Sequence, residues 1–404
     1  MKLLTTVLLL FAFSSINSQN IYLKNIHVFD GNTNSISENS AIKIKNGTIE
    51  WIGKQLSADP KDYTSIDGLG YYLMPGMIDA HTHISDLKAA ERALNSGVTT
   101  VRSASTSSYQ DVALANLSKT GVIAGPDVIS AGVYVSPNLG ETILADPRLS
   151  ALSNGVRTDE ELRLLVQINA DRGVDVIKTR GTERAGLPET DPRQQTYTTA
   201  QLKVVVDEAA KHNLKVMVHA HGDEGARAAV EAGALSIEHG TYLSYETLTL
   251  MKAKGVYLVP TLITIEDLKI PGGEYSNPTL ELRGRSMMPE AEQAVKNAIT
   301  LGVKIATGAD NDYSAESTTR VSLEAEHFVR LGMTNFQALQ STTKVAAELL
   351  DILDKTGTIE VGKEADLILL PKNPLDNIMA LQDVLMVISN GKVAIKRIPF
   401  HLTD

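Results

Sequence analysis

A regular alternation of short apolar segments with helix-like segments, starting at residue 77, constrains the fold of this chain most strongly. The apolar segments have the composition of buried strands, and the segments between them carry apolar residues at helical spacing. Eight strands are predicted, at residues 77–80, 98–102, 127–132, 174–178, 215–219, 235–239, 256–260 and 304–307. The helices predicted between them include 87–96, 159–171, 199–212, 225–232, 244–254 and 289–301.

Glycine closes many of these predicted helices, at positions 97, 173, 233, 255 and 302. A glycine there can take the left-handed conformation that ends a helix and turns the chain back toward the next strand. Strands separated by helices pair in parallel through right-handed crossovers. Eight such units over roughly 250 residues predict an α/β fold, a (β/α)8 TIM barrel. An open, doubly wound sheet is the alternative.

The two ends of the chain have a different pattern. Residues 20–56 and 357–398 show strand-like alternation, with turn pairs at Asp30-Gly31, Asn46-Gly47 and Asn390-Gly391 that are typical of hairpins. Neither end is long enough to bury a core of its own. We therefore expect one composite β-sandwich lobe, built from residues 19–74 and 353–404, with the barrel at residues 75–352 between its two parts.

The first 18 residues have the layout of a secretory signal peptide. Lys2 precedes an apolar stretch at residues 3–13, and small polar residues follow at 14–18. The apolar stretch is about half the roughly 20 residues that span a bilayer, so no stable membrane anchor is expected. The alternative is a buried N-terminal strand. The pattern predicts an exported protein, periplasmic or secreted.

Charge and cysteine content exclude several kinds of partner and chemistry. The formal charge is −10, which argues against nucleic acid as a partner. The chain has no cysteine, so disulfides, thiolate metal sites and cysteine nucleophiles are excluded. The expected partner is a small-molecule substrate, and a homo-oligomer is compatible with the sequence.

Polar residues follow the predicted strands at their carboxyl ends, where a barrel carries its active site. His81 and His83 follow the first strand, Lys178 ends the fourth, His219 and His221 end the fifth, His239 ends the sixth and Asp310 follows the eighth. Five of the nine histidines are in this set. Each residue alone has a simpler explanation, such as a core histidine, a lysine that reaches water or an aspartate that caps a helix. Together they predict a metal site, because imidazole and carboxylate groups bind divalent ions.

Six sequence blocks resemble the amidohydrolase superfamily, and within it the imidazolonepropionase-like and prolidase-like dipeptidase branch. They are PGMIDAHTH (75–83), VDVIK (174–178), VMVHAHG (216–222), SIEHG (236–240), KIATGAD (304–310) and GTIEVGKEADLILL (357–370). The resemblance implies two divalent metal ions bridged by a carboxylated Lys178. It implies that His81, His83 and Asp310 hold one ion and that His219 and His239 hold the other. Zinc is expected from the ligand chemistry, with manganese, iron and cobalt as alternatives.

The substrate contacts are less constrained by the sequence. His219 and His221 compete for the metal position on the fifth strand, and we favour His219 as ligand and His221 as substrate contact. Tyr242 is a further candidate, as is Arg180 in the loop after the fourth strand. That loop also carries Glu183, Arg184 and Arg193, which could grip a charged substrate or form ion pairs with one another in solvent. The loop, and the segment after the third strand, depart from the prolidase-like pattern.

The predicted function is a metal-dependent hydrolase that cleaves an amide-type C–N bond by a metal-activated hydroxide. Its substrate would be a dipeptide, an N-acyl amino acid or a cyclic amide. Asp310 would act as the catalytic group that takes the proton of the nucleophile and passes it to the leaving amine. A lactonase or phosphotriesterase could use the same binuclear site. A mononuclear deaminase is disfavoured because it has no use for Lys178, and a non-catalytic metal-binding barrel is the remaining alternative.

Overall fold

The computed structural model of the chain describes residues 20–271 and 277–398. The predicted signal peptide, residues 1–18, lies outside the described residues, as do residues 19, 272–276 and 399–404. Within the described ranges, no helix is both long and apolar enough to cross a lipid bilayer.

The chain begins with four strands: β1 (Ile21–Val28), β2 (Ser37–Lys45), β3 (Thr48–Lys54) and β4 (Thr64–Pro75). Asn46 and Gly47 form the tight turn between β2 and β3, and both have positive φ, as the Asn-Gly pair predicts. Asp30-Gly31 does not form such a turn. The Asp30 carboxylate instead accepts the N–H groups of Asn32, at 2.7 Å, and Thr33, at 2.8 Å, in a longer loop between β1 and β2.

Strands and helices alternate in the middle of the chain, as predicted. The strands are β5 (Met77–Thr82), β6 (Val98–Ser103), β7 (Asp127–Ile129), β8 (Val176–Arg180), β9 (Lys215–Ala220), β10 (Ser236–His239) and β11 (Tyr257–Val259). The helices are α1 (Leu87–Asn95), α2 (Gln110–Lys119), α3 (Asp159–Asp171), α4 (Thr199–Lys211), α5 (Asp223–Ala232), α6 (Tyr245–Lys254), α7 (Leu262–Leu268), α8 (Pro278–Leu301), α9 (Val321–Arg330), α10 (Asn335–Ser341) and α11 (Lys344–Leu349). Short 3-10 helices lie at Gly140–Ala145, Pro147–Leu152 and Ile378–Gln382.

Helix α8 begins eleven residues earlier than the sequence pattern indicates. The helical spacing of apolar residues predicts a helix that starts at Pro289. In the structure, Pro278 has the first-turn position and Pro289 lies inside the helix. The Asn277 side chain caps the helix by accepting the Thr279 N–H at 2.8 Å. The predicted start was wrong because a second proline, with a capping residue before it, already provides a helix start upstream.

The strands of the middle region form two parallel sheets, so the fold is α/β. One sheet has the order β11-β10-β9-β8 and the other has the order β5-β6-β7. A parallel bridge between Val135 and Thr179 links the chain after β7 to β8. Because the bridge is parallel, the carboxyl ends of the strands in both sheets face the same side, and the loops that follow them lie together.

The eighth predicted strand, residues 304–307, is reduced to one bridge between Ile305 and Leu258. The segment still forms backbone hydrogen bonds with a neighbouring strand on each side. The Leu258 N–H donates to the Lys304 carbonyl at 2.9 Å, and the Ala80 N–H donates to the Thr307 carbonyl at 2.9 Å. The segment therefore lies between β11 and β5, but its contacts are too short for a regular ladder.

Both ends of the chain contribute to one β lobe. The C-terminal strands β12 (Leu367–Leu370), β13 (Met386–Ser389) and β14 (Lys392–Lys396) join the first four strands in a sheet with the order β14-β13-β12-β4-β1-β2-β3. This is a single mixed sheet rather than the two separate sheets of the predicted sandwich. Strand β3, at one edge of the sheet, is also bonded to the segment that precedes β12: the Ile49 N–H donates to the Lys363 carbonyl at 2.8 Å, and the Gly362 N–H donates to the Ile49 carbonyl at 2.8 Å. The sheet therefore curls.

The curled sheet encloses a core of apolar side chains from both ends, including Leu23, Ile42, Ile44, Leu367 and Ile388. The turns at Asn46-Gly47 and Asn390-Gly391 meet on one side of it. A Cβ atom at position 391 would lie 2.4 Å from the Gly47 Cα, so only glycine allows this approach. Only Gly76 separates β4 from β5. The division into a lobe of residues 19–74 and 353–404 and a barrel of residues 75–352 stays a prediction.

Candidate metal centre and active site

The residues predicted at the strand ends lie around one cavity. Its volume is about 560 Å³, and its lining includes His81, His83, Lys178, His219, His221, His239 and Asp310. Four of these side chains belong to strands β5, β8, β9 and β10, and the others belong to the loops that follow strands. The structure therefore brings together every metal ligand that the sequence predicts, although these residues are up to 229 positions apart, as between His81 and Asp310.

His81, His83 and Asp310 form the first group of possible metal ligands. The Nε2 atoms of both histidines lie 3.3 Å from the same oxygen, Oδ1 of Asp310. The opposite ring nitrogens face acceptors: Nδ1 of His81 lies 2.6 Å from a Glu238 oxygen, and Nδ1 of His83 lies 2.9 Å from the Ser105 carbonyl. Each Nδ1 atom can therefore donate to its acceptor, while both Nε2 atoms are directed at Asp310. A cation bound among the three groups would take a lone pair from each Nε2 atom and one from the carboxylate oxygen.

Asp310 has the charge that such a site needs. Burial by itself raises the pKa of its carboxyl group, but the neighbouring histidines, His81 first among them, hold the pKa well below its ordinary value. The group is therefore an anion at neutral pH. Its backbone has a φ of 44°, and its N–H donates to the His81 carbonyl at 2.7 Å, which directs the side chain toward the histidines.

His219, His221 and His239 form the second group. The rings of His219 and His239 are 4.5 Å apart, and those of His221 and His239 are stacked at 4.6 Å. Burial lowers the pKa of all three rings, that of His221 to about 3. The imidazoles are therefore neutral at pH 7, which is the form that binds metals. Both histidines that compete for the fifth-strand position belong to this group.

Lys178 lies at the cavity wall and is only 2% exposed. Its Nζ atom has no hydrogen-bond partner among the residues that the structure describes. Burial lowers the pKa of this amine to about 8, so the neutral form is more accessible than in an ordinary lysine. A buried amine without an acceptor is costly unless another group meets it. The neutral amine is also the form that reacts with CO₂, and the resulting carbamate is an anion. The environment of Lys178 therefore fits a carboxylated lysine beside metal ions.

A buried charged network that the sequence pattern does not predict supports the first group. Arg102 on β6 donates through Nη2 to Glu238 at 2.9 Å and through Nε to the Ala80 carbonyl at 2.7 Å. Burial alone would raise the pKa of Glu238, but Arg102 and His81 lower it to about 2. The ionised Glu238 then holds the Nδ1 proton of His81. The available signals in the sequence are two charged residues inside predicted strands, Arg102 in β6 and Glu238 in β10.

The predicted substrate contacts have different placements. Arg180 and His221 line the cavity, and Arg180 pairs with Glu183 at 3.0 Å. Tyr242 is not among the described residues that line it: its N–H donates to the His221 carbonyl at 2.9 Å, and its ring packs against the hydrophobic core. Arg193 is exposed and pairs with Asp191 at 3.0 Å. The tyrosine lies away from the cavity because its side chain turns to the apolar layer beneath the loop.

Known proteins are similar to this chain in sequence and in structure. A sequence model of the amidohydrolase family matches residues 72–394. Ochratoxinase from Aspergillus niger is 30% identical over 387 residues, covering 85% of this chain and 80% of that protein. Imidazolonepropionase from Brucella anthropi is 24% identical, covering 82% of this chain and 86% of that protein.

Among solved structures, a Xaa-Pro dipeptidase with methionine bound in its active site superposes with a TM-score of 0.83 and 27% identity, over 93% of this chain and 99% of that one. Together with the family match, these relatives confirm the predicted resemblance to the imidazolonepropionase-like and prolidase-like branch. They also confirm the prediction of a hydrolase acting on carbon–nitrogen bonds. The chain is a member of the amidohydrolase family.

Proposed function

We propose that this protein hydrolyses an amide-type C–N bond of a small molecule in the cavity described above. The observation that carries the proposal is the convergence of Asp310, the five cavity histidines and the buried Lys178 on one cavity. The family match and the names of the relatives support amide hydrolysis as the reaction class. A dipeptide, an N-acyl amino acid and a cyclic amide each carry a bond of this type.

We also propose that the two parallel sheets are parts of one (β/α)8 barrel. The bridge between Val135 and Thr179 supports closure on one side. On the other side, the bonds of Leu258 and Ala80 to residues 304–307 support it. A closed barrel would explain why loops from distant parts of the chain meet at one cavity.

The cavity residues fit two divalent ions. We propose His81, His83 and Asp310 for one ion, His219 and His239 for the other, and carboxylated Lys178 as the bridge. The converging Nε2 atoms, the neutral imidazoles and the unpartnered Lys178 amine support this assignment. Zinc suits a set of nitrogen and carboxylate ligands. Bound ions would supply a Lewis acid and a more acidic water molecule.

The residues of the chain have separate tasks in this proposal. Asp310, an anion at neutral pH, accepts the proton of the attacking water and delivers it to the leaving amine. Glu238 and Arg102 keep the His81 ring in one orientation and one tautomer. Arg180 and His221 contact the substrate from the cavity wall. Tyr242 has no task here, because it does not line the cavity.

Asp310→Asn tests the proposal, because asparagine keeps the shape of the side chain but cannot take up the proton. We expect turnover to fall at least about hundredfold, while the metal content measured by elemental analysis changes little. Full turnover in this variant would contradict the role of Asp310. Asp383→Asn, at an exposed position outside the cavity, is the matched control.

A substrate panel separates the alternative functions. The panel contains dipeptides, N-acyl amino acids, cyclic amides, lactones and phosphotriesters. Preferential cleavage of lactones or phosphotriesters would favour the lactonase or phosphotriesterase alternative on the same ligands. Deamination with one ion per chain would favour the mononuclear alternative. Fewer than one metal ion per chain and no turnover of any class would contradict the enzyme proposal.

We propose that the protein is exported from the cytoplasm and is periplasmic or secreted. Lys2 and the apolar residues 3–13 support this, since they have the order and length of a signal peptide. Expression of the full chain followed by cell fractionation tests it. Retention of the uncleaved chain in the cytoplasm would contradict it.

A further inference from the structure

A second cleft, which shares no lining residue with the metal cavity, is lined by two arginines and by no acidic residue. It lies where α1, the start of α9 and the 3-10 helix at Ile378–Gln382 meet, and its volume is about 350 Å³. The chain as a whole has 48 acidic and 38 basic side chains, so a cleft whose charges are all positive departs from the average. The polar residues that line it are Arg92, Asn95, Ser96, Arg320, Ser322 and Gln382.

Each of the two arginines is anchored through one nitrogen of its guanidinium group. Nη1 of Arg92 donates to the Tyr313 carbonyl at 3.0 Å. Nη1 of Arg320 donates to the Ser317 carbonyl at 2.9 Å and to the Thr319 carbonyl at 2.5 Å. Neither guanidinium forms an ion pair with a described acidic residue. The other edge of each group, formed by Nε and Nη2, carries two parallel N–H groups that match two oxygens of an oxyanion.

The start of α9 adds donors that lack an acceptor. Ser322, in the first turn, lines the cleft and is only 5% exposed, and its hydroxyl forms no hydrogen bond within the described ranges. No side chain caps the helix, because Arg320 stands at the N-cap position. The N–H groups of an uncapped first turn point out of the helix end and favour negative charge. A buried hydroxyl without a partner, beside two arginines, indicates a ligand with several acceptor atoms.

A third arginine strengthens the positive charge beside the cleft. Nη2 of Arg397 donates to the backbone carbonyl and to Oδ1 of Asn95, each at 3.2 Å. The acceptor atom of the Asn95 side chain is therefore occupied, and its NH2 group remains as a donor. Like charges repel one another, so guanidinium groups gathered around one cleft are stabilised by an anion between them.

We propose that this cleft binds a phosphate group, either as the free ion or as part of a small phosphate ester. A phosphate group carries up to about two negative charges at pH 7 and at least three acceptor oxygens, whereas a carboxylate has a single charge and two oxygens. The guanidinium edges of Arg92 and Arg320, the Ser322 hydroxyl and the first-turn N–H groups of α9 provide donors for these oxygens. The site goes beyond the proposed hydrolysis and does not depend on it.

A bound phosphate would also restrain the segment at residues 311–320. Both Arg92 and Arg320 contact Tyr313, and the guanidinium carbon of Arg320 lies 5.7 Å from the Tyr313 ring centroid. The Tyr313 hydroxyl in turn donates to the buried Asp79 carboxylate at 2.8 Å. An anion that holds the two guanidinium groups therefore stabilises the contacts of this segment, and its amide hydrogens should exchange more slowly.

Isothermal titration calorimetry of the metal-loaded, full-length protein tests the site with inorganic phosphate, glycerol 3-phosphate and acetate at equal ionic strength. We expect saturable binding of phosphate and at least about tenfold weaker binding of acetate. The Kd for phosphate should rise about tenfold to a hundredfold in Arg92→Gln and in Arg320→Gln, and severalfold in Ser322→Ala, which removes a single hydroxyl. Arg330→Gln, which removes the same charge at the opposite, exposed end of α9, should leave the Kd within about twofold of the wild-type value.

Amide hydrogen exchange locates the bound ion without any need for turnover. Phosphate should slow exchange in residues 311–323 of the wild type and not in Arg320→Gln. Tighter binding of glycerol 3-phosphate than of inorganic phosphate would support an ester as the ligand, and the reverse order would support the free ion.

Equal binding of acetate and phosphate in the wild type, or no binding of either phosphate compound, would overturn the site. An unchanged Kd in both arginine variants would also overturn it, because the ion would then bind elsewhere, the metal cavity included. Ser322→Ala decides the question if an arginine variant does not fold, since an unchanged Kd in this mild variant contradicts the site. Absence of turnover across the substrate panel described above bears on the proposed hydrolysis alone.

Discussion

At the scale of single residues, buried charges around the cavity depend on one another. Arg102 is 1% exposed, and Glu238 is fully buried. Each compensates the other, since an isolated buried charge costs far more than a paired one. Their pairing also sets the tautomer of His81, so a pair outside the cavity affects the chemistry inside it.

Arg102→Met tests this dependence. We expect the free energy of unfolding to fall by roughly 3–5 kcal/mol, because Glu238 would keep a buried charge without a partner. Urea denaturation measures the change. Arg163→Met is the control, since Arg163 pairs with Asp159 at 3.5 Å on the exposed face of α3, and its loss should cost roughly 0–1 kcal/mol. Similar small losses in both variants would contradict the expectation.

At the scale of elements, one arginine of α8 holds the loop between β8 and α4. Arg283 donates to four carbonyl oxygens of that loop: Ala185 at 2.6 Å, Leu187 at 2.6 Å, Pro188 at 3.1 Å and Thr190 at 2.7 Å. The loop carries Arg184, Ala185 and Gly186, which line the cavity. The Arg283 guanidinium therefore fixes the shape of the cavity rim, although helix α8 contributes no residue to the lining of the cavity.

Arg283→Lys removes most of these hydrogen bonds to the loop but keeps the positive charge. An ammonium group cannot reach four carbonyls with the planar geometry of a guanidinium. We expect amide hydrogen exchange in residues 183–196 to become at least about tenfold faster, because each bond to a charged donor contributes roughly 1.5–3 kcal/mol. Arg285→Lys, two residues along the same helix and paired with Glu281 at 2.8 Å, is the control. Unchanged exchange in Arg283→Lys would show that the loop is held by other contacts.

At the scale of the whole molecule, acidic residues from two parts of the chain meet where the β lobe contacts the parallel sheets. Asp127 opens β7, and Glu364 and Asp366 precede β12. Burial, and then the charge of Asp127, raise the pKa of Asp366 to about 7. Hydrogen bonds from the Asn390 N–H, at 2.8 Å, and from the Thr356 side chain lower this pKa, but they do not offset the effect of burial.

The cluster of Asp127, Glu364 and Asp366, which we call the acidic junction, should make the free energy of unfolding depend on pH. The carboxyl group of Asp366 has an ordinary pKa of 3.8, so between about pH 4 and 7 the folded chain holds a proton that the unfolded chain has released. Stability therefore decreases as pH rises through this window. Asp366→Asn cannot titrate, and its amide oxygen can still accept from Asn390. We expect a gain of the order of a few kcal/mol over the wild type at pH 8 and little difference at pH 4.

Urea denaturation at pH 4, 6 and 8 measures this difference. Asp383→Asn removes one exposed charge and serves as the control. The same difference between Asp366→Asn and the wild type at all three pH values would contradict a titrating carboxyl group at the acidic junction.

Much of the fold was predictable because its signals are local. Seven of the eight expected strands are present, and α3 occupies the predicted residues Asp159–Asp171, with Thr158 and Glu161 forming its capping box. Predictions failed where local signals compete. Pro289 resembles a helix start, but Pro278 already provides one. Asp30-Gly31 does lie in the hairpin of β1 and β2, but the Asp30 carboxylate stabilises a longer loop there than a tight turn. Residues 304–307 do not form a regular strand, since their pairing depends on neighbours distant in the sequence.

The sequence by itself determined the kinds of metal ligand available, the strand ends that carry them and the order of strands and helices. These follow from residue chemistry and from periodicity along the chain. Only the tertiary structure decided that Arg102 supports His81, that Tyr134 shares a wall with Lys178 and Arg180, and that Tyr242 lies away from the cavity. These are contacts between residues far apart in the chain. Their free energy depends on burial and on distance in space, and neither quantity is a property of a residue and its neighbours in sequence.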